Sequence, residues 1–95
     1  MANYRISETA RADLERIYRH GVREYGEIQA DRYFIAFFEH FEKLAARPHA
    51  YPAIDDIRPG YRRSTCGVDS VYYRVIDGTV EVMTILGRQD VESWL

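Results

Sequence analysis

Cysteine is nearly missing from this sequence. Cys66 is the only one, so no intramolecular disulfide can form and nothing points to an oxidising compartment. Lysine is reduced to Lys43; the rest of the 13 basic residues are arginine. The 3 prolines all fall between positions 48 and 60, which leaves the flanking stretches free to form helices and strands. No apolar run approaches the ~20 residues of a membrane span. The first residues show no basic stretch leading into an apolar core, which argues against a secretory signal. A cytoplasmic protein with no membrane association is expected. Neither sign of charge dominates: the net charge is −2, so there is no global electrostatic case for nucleic-acid binding. A glycine-rich phosphate loop and metal-ligand spacings are also missing, and no cofactor or metal is expected.

What is there suits one soluble domain spanning residues 1–95, with 46% hydrophobic and 29% charged residues. Tyr4 and Ile6 alternate in a short first strand. Ser7 then reads as a helix cap, with Glu8 in the first turn beside the positive end of the helix dipole. Ala10, Leu14, Ile17, Gly21 and Tyr25 form one helical stripe, and Arg11, Asp13, Glu15, Arg16 and Arg19 fill the opposite face. Gly26 ends this helix. A second helix runs from about Ile28 to Arg47, with Ala30, Phe34, Phe37, Phe41 and Leu44 on its stripe. Tyr33, Phe38 and Ala45 widen that stripe, and Pro48 closes the helix. A connection of three or four residues makes the pair an antiparallel hairpin. Four phenylalanines on one helix exceed what one partner helix covers. The helix must also lie on a sheet, or present a patch to another protein.

The second half is organised around Asp77-Gly78. This dipeptide between two β-rich runs specifies a type I′ hairpin turn, and a two-residue loop fixes the register. Ile76 then faces Thr79, Val75 faces Val80, Arg74 faces Glu81, Tyr73 faces Val82 and Tyr72 faces Met83. Alternation puts Val71, Tyr73, Val75, Val80 and Val82 on an apolar face that should meet the helices. Tyr72, Arg74, Ile76, Glu81, Met83 and Ile85 fall on the other face, which is expected to be half open. Residues 48–60 read as a loop, Tyr61 to Cys66 as a strand, and Arg88 to Leu95 as a short tail. The order strand, two helices, three strands, tail gives an α+β fold with the helical hairpin on one face of a mainly antiparallel sheet.

No catalytic set stands out. His20 and His40 read as solvated helix residues, His49 as a loop residue, Cys66 as a small apolar filler and Asp55-Asp56 as a solvated loop pair. The arginines of the sheet remain. Either Arg62, Arg63, Arg74 and Arg88 form a compact cationic patch where they share a face, or Arg74 pairs with Glu81, Arg62 or Arg63 pairs with an acid, and no patch exists.

The sequence resembles the RelE/ParE toxin superfamily, and its ParE branch most. The resemblance is carried by Tyr4-x-Ile6-Ser7, Ala10-x-x-Asp13-Leu14-x-x-Ile17, Tyr25-Gly26 and Gln29-Ala30. It continues through Phe41-x-x-Leu44-Ala45-x-x-Pro48, Gly60-Tyr61-Arg62, Val71-Tyr72-Tyr73-Arg74-Val75 and Ile85-Leu86-Gly87-Arg88-Gln89-Asp90. It implies a toxin encoded beside a ParD-like ribbon-helix-helix antitoxin, with which it forms a hetero-oligomer. ParE-like toxins are understood to act on DNA gyrase, whereas RelE-like relatives cut mRNA in the ribosome. Fitted to the nuclease set, this sequence supplies Arg62 and Arg88. It has Ser70 near an arginine position, and Trp94 near the tail tyrosine. Gly87 stands where many ParE-like chains have histidine. Serine and tryptophan cannot replace a cation and a hydroxyl acid–base group, so a non-enzymatic gyrase inhibitor is expected, with a RelE-type endonuclease as the alternative. The resemblance and the arginine set together make Arg62, Arg74, Arg88 and Trp94 the expected target-binding residues. Tyr33, Phe34, Phe37, Phe38, Phe41 and Arg58 are the expected antitoxin contacts. No direct nucleic-acid binding by the toxin alone is expected.

Overall fold

The computed structural model describes residues 3–87. Arg88 and Trp94 therefore lie outside the described residues. The elements are β1 (Tyr4–Ile6), α1 (Glu8–Tyr25), α2 (Glu27–Ala46), β2 (Tyr61–Cys66), β3 (Asp69–Ile76) and β4 (Thr79–Gly87). They form one four-stranded sheet in the order β1-β4-β3-β2, with β1 parallel to β4 and the other pairs antiparallel. The fold is α+β with the expected element order.

The two helices share a single joint. Gly26, at φ 89°, donates to the Val22 carbonyl at 3.0 Å and accepts from the Ala30 amide at 3.1 Å. The connection is thus one residue rather than the three or four expected, because one glycine ends one helix and starts the next. The hairpin packs on the sheet face anticipated from alternation. Ala10 and Leu14 of α1, Phe37, Phe41 and Leu44 of α2, and Val71, Tyr73, Val80 and Val82 of the sheet share one buried core. Tyr25 is the exception on the α1 stripe: it is 70% exposed, since it lies in the last turn beyond the sheet.

Asp77 and Gly78 both have positive φ, 52° and 76°, as a type I′ turn requires. The register then holds from Ile76↔Thr79 to Tyr73↔Val82, but Tyr72 pairs with Thr84 instead of Met83. Met83 is an extra residue in β4, a β-bulge, and everything past it changes face. Ile85 therefore sits opposite Val71 and is buried in the helix-side core, where uninterrupted alternation had placed it on the open face.

β1 is only three residues long, so beyond Val82 the outer side of β4 has no strand beside it. The first turns of α1 take that place. Ser7 caps α1 by accepting from the Ala10 amide at 3.0 Å, and its hydroxyl donates to the Met83 carbonyl at 2.8 Å. Its amide donates to the Val82 carbonyl at 3.0 Å. Asp13 accepts from the Ile85 amide at 2.9 Å and the Thr84 hydroxyl at 2.6 Å, while Arg16 donates to the Ile85 carbonyl at 3.2 Å. Asp13 and Arg16 thus serve the sheet edge and are not simply solvated helix charges. Backbone groups at the end of a sheet must find partners, and here side chains supply them.

Residues 48–60 fold back along the other edge. The Arg63 amide donates to the Pro52 carbonyl at 3.1 Å, the Ile54 amide to the Tyr61 carbonyl at 2.9 Å, and Ala53 bridges Arg62. Asp55 accepts from the Gly60 amide at 2.8 Å and closes the loop. Ile54 drops onto Tyr72 and Leu86, with Tyr61 alongside, and forms a small second core on the face away from the helices. That half of the face is covered; the half around Arg74 and Glu81 is open.

Candidate functional site: the aromatic hairpin and the arginine face

The expected antitoxin residues divide into four groups. Phe37 and Phe41 are fully buried between α2 and the sheet, so a partner that leaves the fold intact does not touch them. Both side chains face the strands and not a surface groove. Phe34 and Phe38 are half-buried and continue a row of rings along the hairpin. Tyr18 lies edge-on to Phe34 at 5.5 Å, Phe34 is 5.1 Å from Phe38, and Phe38 is 5.6 Å from Phe41. The Tyr18 hydroxyl donates to Asp31 at 2.6 Å and clips α1 to α2 at the head of the row. Tyr18 was not singled out from sequence. Its position one residue past Ile17 places it at the margin of the α1 stripe, facing Phe34.

Tyr33 has a different task. Its ring lies against Phe37 with centroids 4.8 Å apart, and its hydroxyl reaches the Cys66 carbonyl and the Asp69 carboxylate, each at 2.8 Å. It holds the β2–β3 turn to α2. Burial and the Asp69 carboxylate push its phenol far above the usual tyrosine range. Arg58 stacks over the Tyr61 ring at 5.5 Å, on the sheet side of the molecule rather than on the hairpin.

The expected arginine set is likewise split. Arg62 sits opposite Tyr73 in the β2–β3 register, and directly opposed residues share a face, so it lies on the helix side. There it donates to the Tyr51 carbonyl at 2.7 Å and the His49 carbonyl at 3.5 Å, and it pins the loop that follows α2. Arg74 lies on the opposite face, paired with Glu81 at 2.8 Å. The two do not form one patch. Among the described residues, the exposed cations sharing the Arg74 face are Arg5 and Arg63, the latter opposite Tyr72. Neither was among the expected target residues, because the faces of β1 and β2 follow from register alone. Glu81 meets both Arg74 and Arg5, and these cations, Arg74 first, hold its carboxyl below the usual range. Ser70 sits in β3 opposite Thr65 and Leu86.

A histidine does meet a hydroxyl: His40 Nε2 is 2.8 Å from Ser64 Oγ. His40 is half-buried between α2 and β2 and not solvated as expected. Burial, with Lys43 nearby, lowers its pKa below the ordinary histidine value. Ser64 is buried beneath α2, which keeps a substrate from its Oγ, and the pair serves packing. The Tyr73 hydroxyl, pushed up to about 12 mainly by burial, donates to the Pro48 carbonyl at 2.7 Å. Cys66 is buried in the core, which raises its thiol pKa and keeps it protonated. His20 is exposed on α1. Among the described residues, no group of His, Cys, Asp and Glu could hold a metal ion. No described helix is long and apolar enough to cross a membrane.

Two surfaces stand out among the described residues, an aromatic row on the hairpin and an arginine-bearing sheet face. The family described as ParE toxin of type II toxin-antitoxin system, parDE, matches residues 4–92. The chain belongs to the ParE toxin family. Toxin ParE1 of Mycobacterium tuberculosis strain H37Rv is 36% identical over 93 residues, covering 96% of this chain and 95% of the relative. Toxin ParE1 of Caulobacter vibrioides is 34% identical over 86 residues, covering 90% and 88%. A chain of the chromosomal ParDE system from P. aeruginosa has the same fold, with TM-score 0.80 at 24% identity over 92% of this chain and 96% of that one. A chain of the RelBE2 toxin–antitoxin complex from Mycobacterium tuberculosis superposes with TM-score 0.70 at 22% identity, over 92% and 98%. Both of those chains share the fold described above. In this ParE-family toxin the arginine expected on the first strand of the sheet meander, Arg62, is bonded into the loop beneath α2.

Proposed function

We propose that this toxin inhibits DNA gyrase by binding it, without catalysing a reaction, in the cytoplasm. A cognate ParD-like ribbon-helix-helix antitoxin neutralises it by forming a hetero-oligomer. The observation that carries this reading is the separation of Arg62 from Arg74 on opposite faces of the sheet. An RNase of this architecture needs cations and an acid–base group converging on one scissile phosphate. Arg62 is turned to the helix side and bonded to backbone carbonyls, and Tyr73 donates its proton to one. The row Tyr18, Phe34 and Phe38 supports the antitoxin part. Half-buried rings in a helical groove suit an amphipathic helix whose apolar residues recur at helical spacing. Arg58 extends that contact toward the sheet side. The edge of β2 at residues 61–63 is already paired with residues 52–54, so strand addition there is disfavoured, and the groove carries the contact.

Induction in cells without the antitoxin tests the target. DNA-damage signalling with filamentation supports gyrase. Immediate translation arrest with mRNA cut at the ribosomal A site establishes the RelE-type endonuclease instead.

A further inference from the structure

One row of residues crosses all four strands on the face away from the helices. The register sets Arg5 of β1 opposite Glu81 of β4, Glu81 opposite Arg74 of β3, and Arg74 opposite Tyr61 of β2. Arg5 Nε lies 3.5 Å from Glu81 Oε2, and Arg74 Nε lies 2.8 Å from Oε1. The side chain of Glu81 is 18% exposed, whereas those of Arg5 and Arg74 are 57% and 38% exposed. The acid therefore lies low between two cations that reach above it.

Both arginines meet Glu81 through Nε. The two-pronged Nη end of each guanidinium is left for a second acceptor, and that end is the one that binds a carboxylate through two parallel hydrogen bonds. One carboxylate cannot neutralise two guanidiniums, so the row keeps a positive charge on a chain whose net charge is −2. Both Nε atoms rest on the two oxygens of one carboxylate, so the Arg5 and Arg74 guanidiniums stand closer together above β4 than the ~10 Å between their Cα atoms two strands apart. Glu81 fixes both in place beforehand, so little side-chain entropy is lost when a partner arrives.

We propose that this row docks an acidic segment of the target protein, two of whose carboxylates are gripped by Arg5 and Arg74. A protein segment fits better than a nucleic acid, because a continuous phosphate chain would pass directly over the Glu81 carboxylate. This inference rests on the gyrase-binding reading and names the contact that reading requires.

The test uses the triple variant Arg5→Gln/Arg74→Gln/Glu81→Gln, in which no buried carboxylate is left without its cations. Affinity is measured for purified gyrase, for the antitoxin and for a single-stranded oligonucleotide, alongside the melting temperature. The expected result is gyrase binding at least tenfold weaker, with antitoxin affinity and melting temperature nearly unchanged. Arg74→Lys, which keeps the charge but loses the fork, should weaken gyrase binding severalfold. Wild type and triple variant binding gyrase equally well would overturn the inference and leave the gyrase reading intact. A loss confined to the antitoxin, or an oligonucleotide bound by wild type and released by the variant, would assign the row to another partner and overturn it too. A wild-type toxin that does not bind gyrase overturns the gyrase reading, and this contact with it.

Discussion

Tyr33 lies so close over Gly67 that a Cβ built on the glycine would stand 2.5 Å from the ring. The glycine also has φ 61°, a conformation other residues adopt at a cost. Tyr33 cannot swing away, because its ring packs on Phe37 and its hydroxyl is bonded to both ends of the turn. Gly67→Ala should therefore destabilise the fold by about 2–4 kcal/mol, as backbone strain and overpacking together. In the double variant with Tyr33→Ala, the glycine substitution should cost clearly less. Denaturant unfolding of the four proteins checks this; strict additivity would contradict it.

Phe37 and Phe38 are neighbours with opposite duties. Phe37→Ala should cost about 3–5 kcal/mol, the range for emptying a fully buried phenylalanine site. Phe38→Asp puts a charge on the aromatic row but not into the core. It should weaken the antitoxin complex by more than tenfold while costing less stability than Phe37→Ala. Calorimetric titration with the antitoxin, paired with melting curves, separates the two. Equal antitoxin affinity for wild type and Phe38→Asp would move the contact off the hairpin.

Arg62 should behave as a structural residue. Replacing it with alanine releases the Tyr51 carbonyl and unpins the loop after α2. The expected loss is about 1.5–3 kcal/mol, the worth of a hydrogen bond to a charged group. Limited proteolysis should cut faster between residues 48 and 53. Arg63→Ala, on the exposed face, should shift stability by no more than ~0.5 kcal/mol. The reverse order would place Arg62, not Arg63, at the surface.

Stability should fall in mild acid through His40. Its folded pKa lies below the ordinary 6.5, so as pH falls past that value the unfolded chain takes up the proton first. Stability is full above pH 6.5, is lost between there and the lower folded pKa, and then levels off for this group. Its neighbours include Lys43 on α2, Ser64 on β2 and Tyr51 from the loop, and burial first, then the Lys43 charge, act against a protonated imidazole. His40→Gln should flatten the pH dependence of the unfolding free energy in this window. An unchanged slope would show that another group carries it.

Much of this fold is legible in the sequence because it is carried by short-range signals. Ser7 and Gly26 mark helix ends through local backbone chemistry, and Asp77-Gly78 sets the hairpin through required dihedrals. What was not legible depends on non-local geometry. The bulge at Met83 leaves no mark in composition, yet it turns Ile85 inward. Asp13 reads as one more helix charge until a three-residue β1 leaves the Ile85 amide in need of an acceptor. Arg62 looked like a binding cation because adjacent arginines on a strand give no hint of which one faces the helices. The candidate surfaces suffered most, since Phe34 and Phe38 share a helix and a residue type with Phe37 and Phe41. Only the packed helix–sheet interface sorts them.

The pairing of β1 with β4 also has a consequence in time. Ser7 and Met83 are bonded across 76 positions, and β4, at the end of the described chain, lies beside the strand that starts it. At 5–20 residues per second, the ribosome needs roughly 4–15 s to make the second after the first. In the later part of that interval, once α2 is complete at Ala46, the helical hairpin waits for the sheet that covers Phe37 and Phe41. The nascent toxin then carries a bare apolar surface, which closes when β4 arrives.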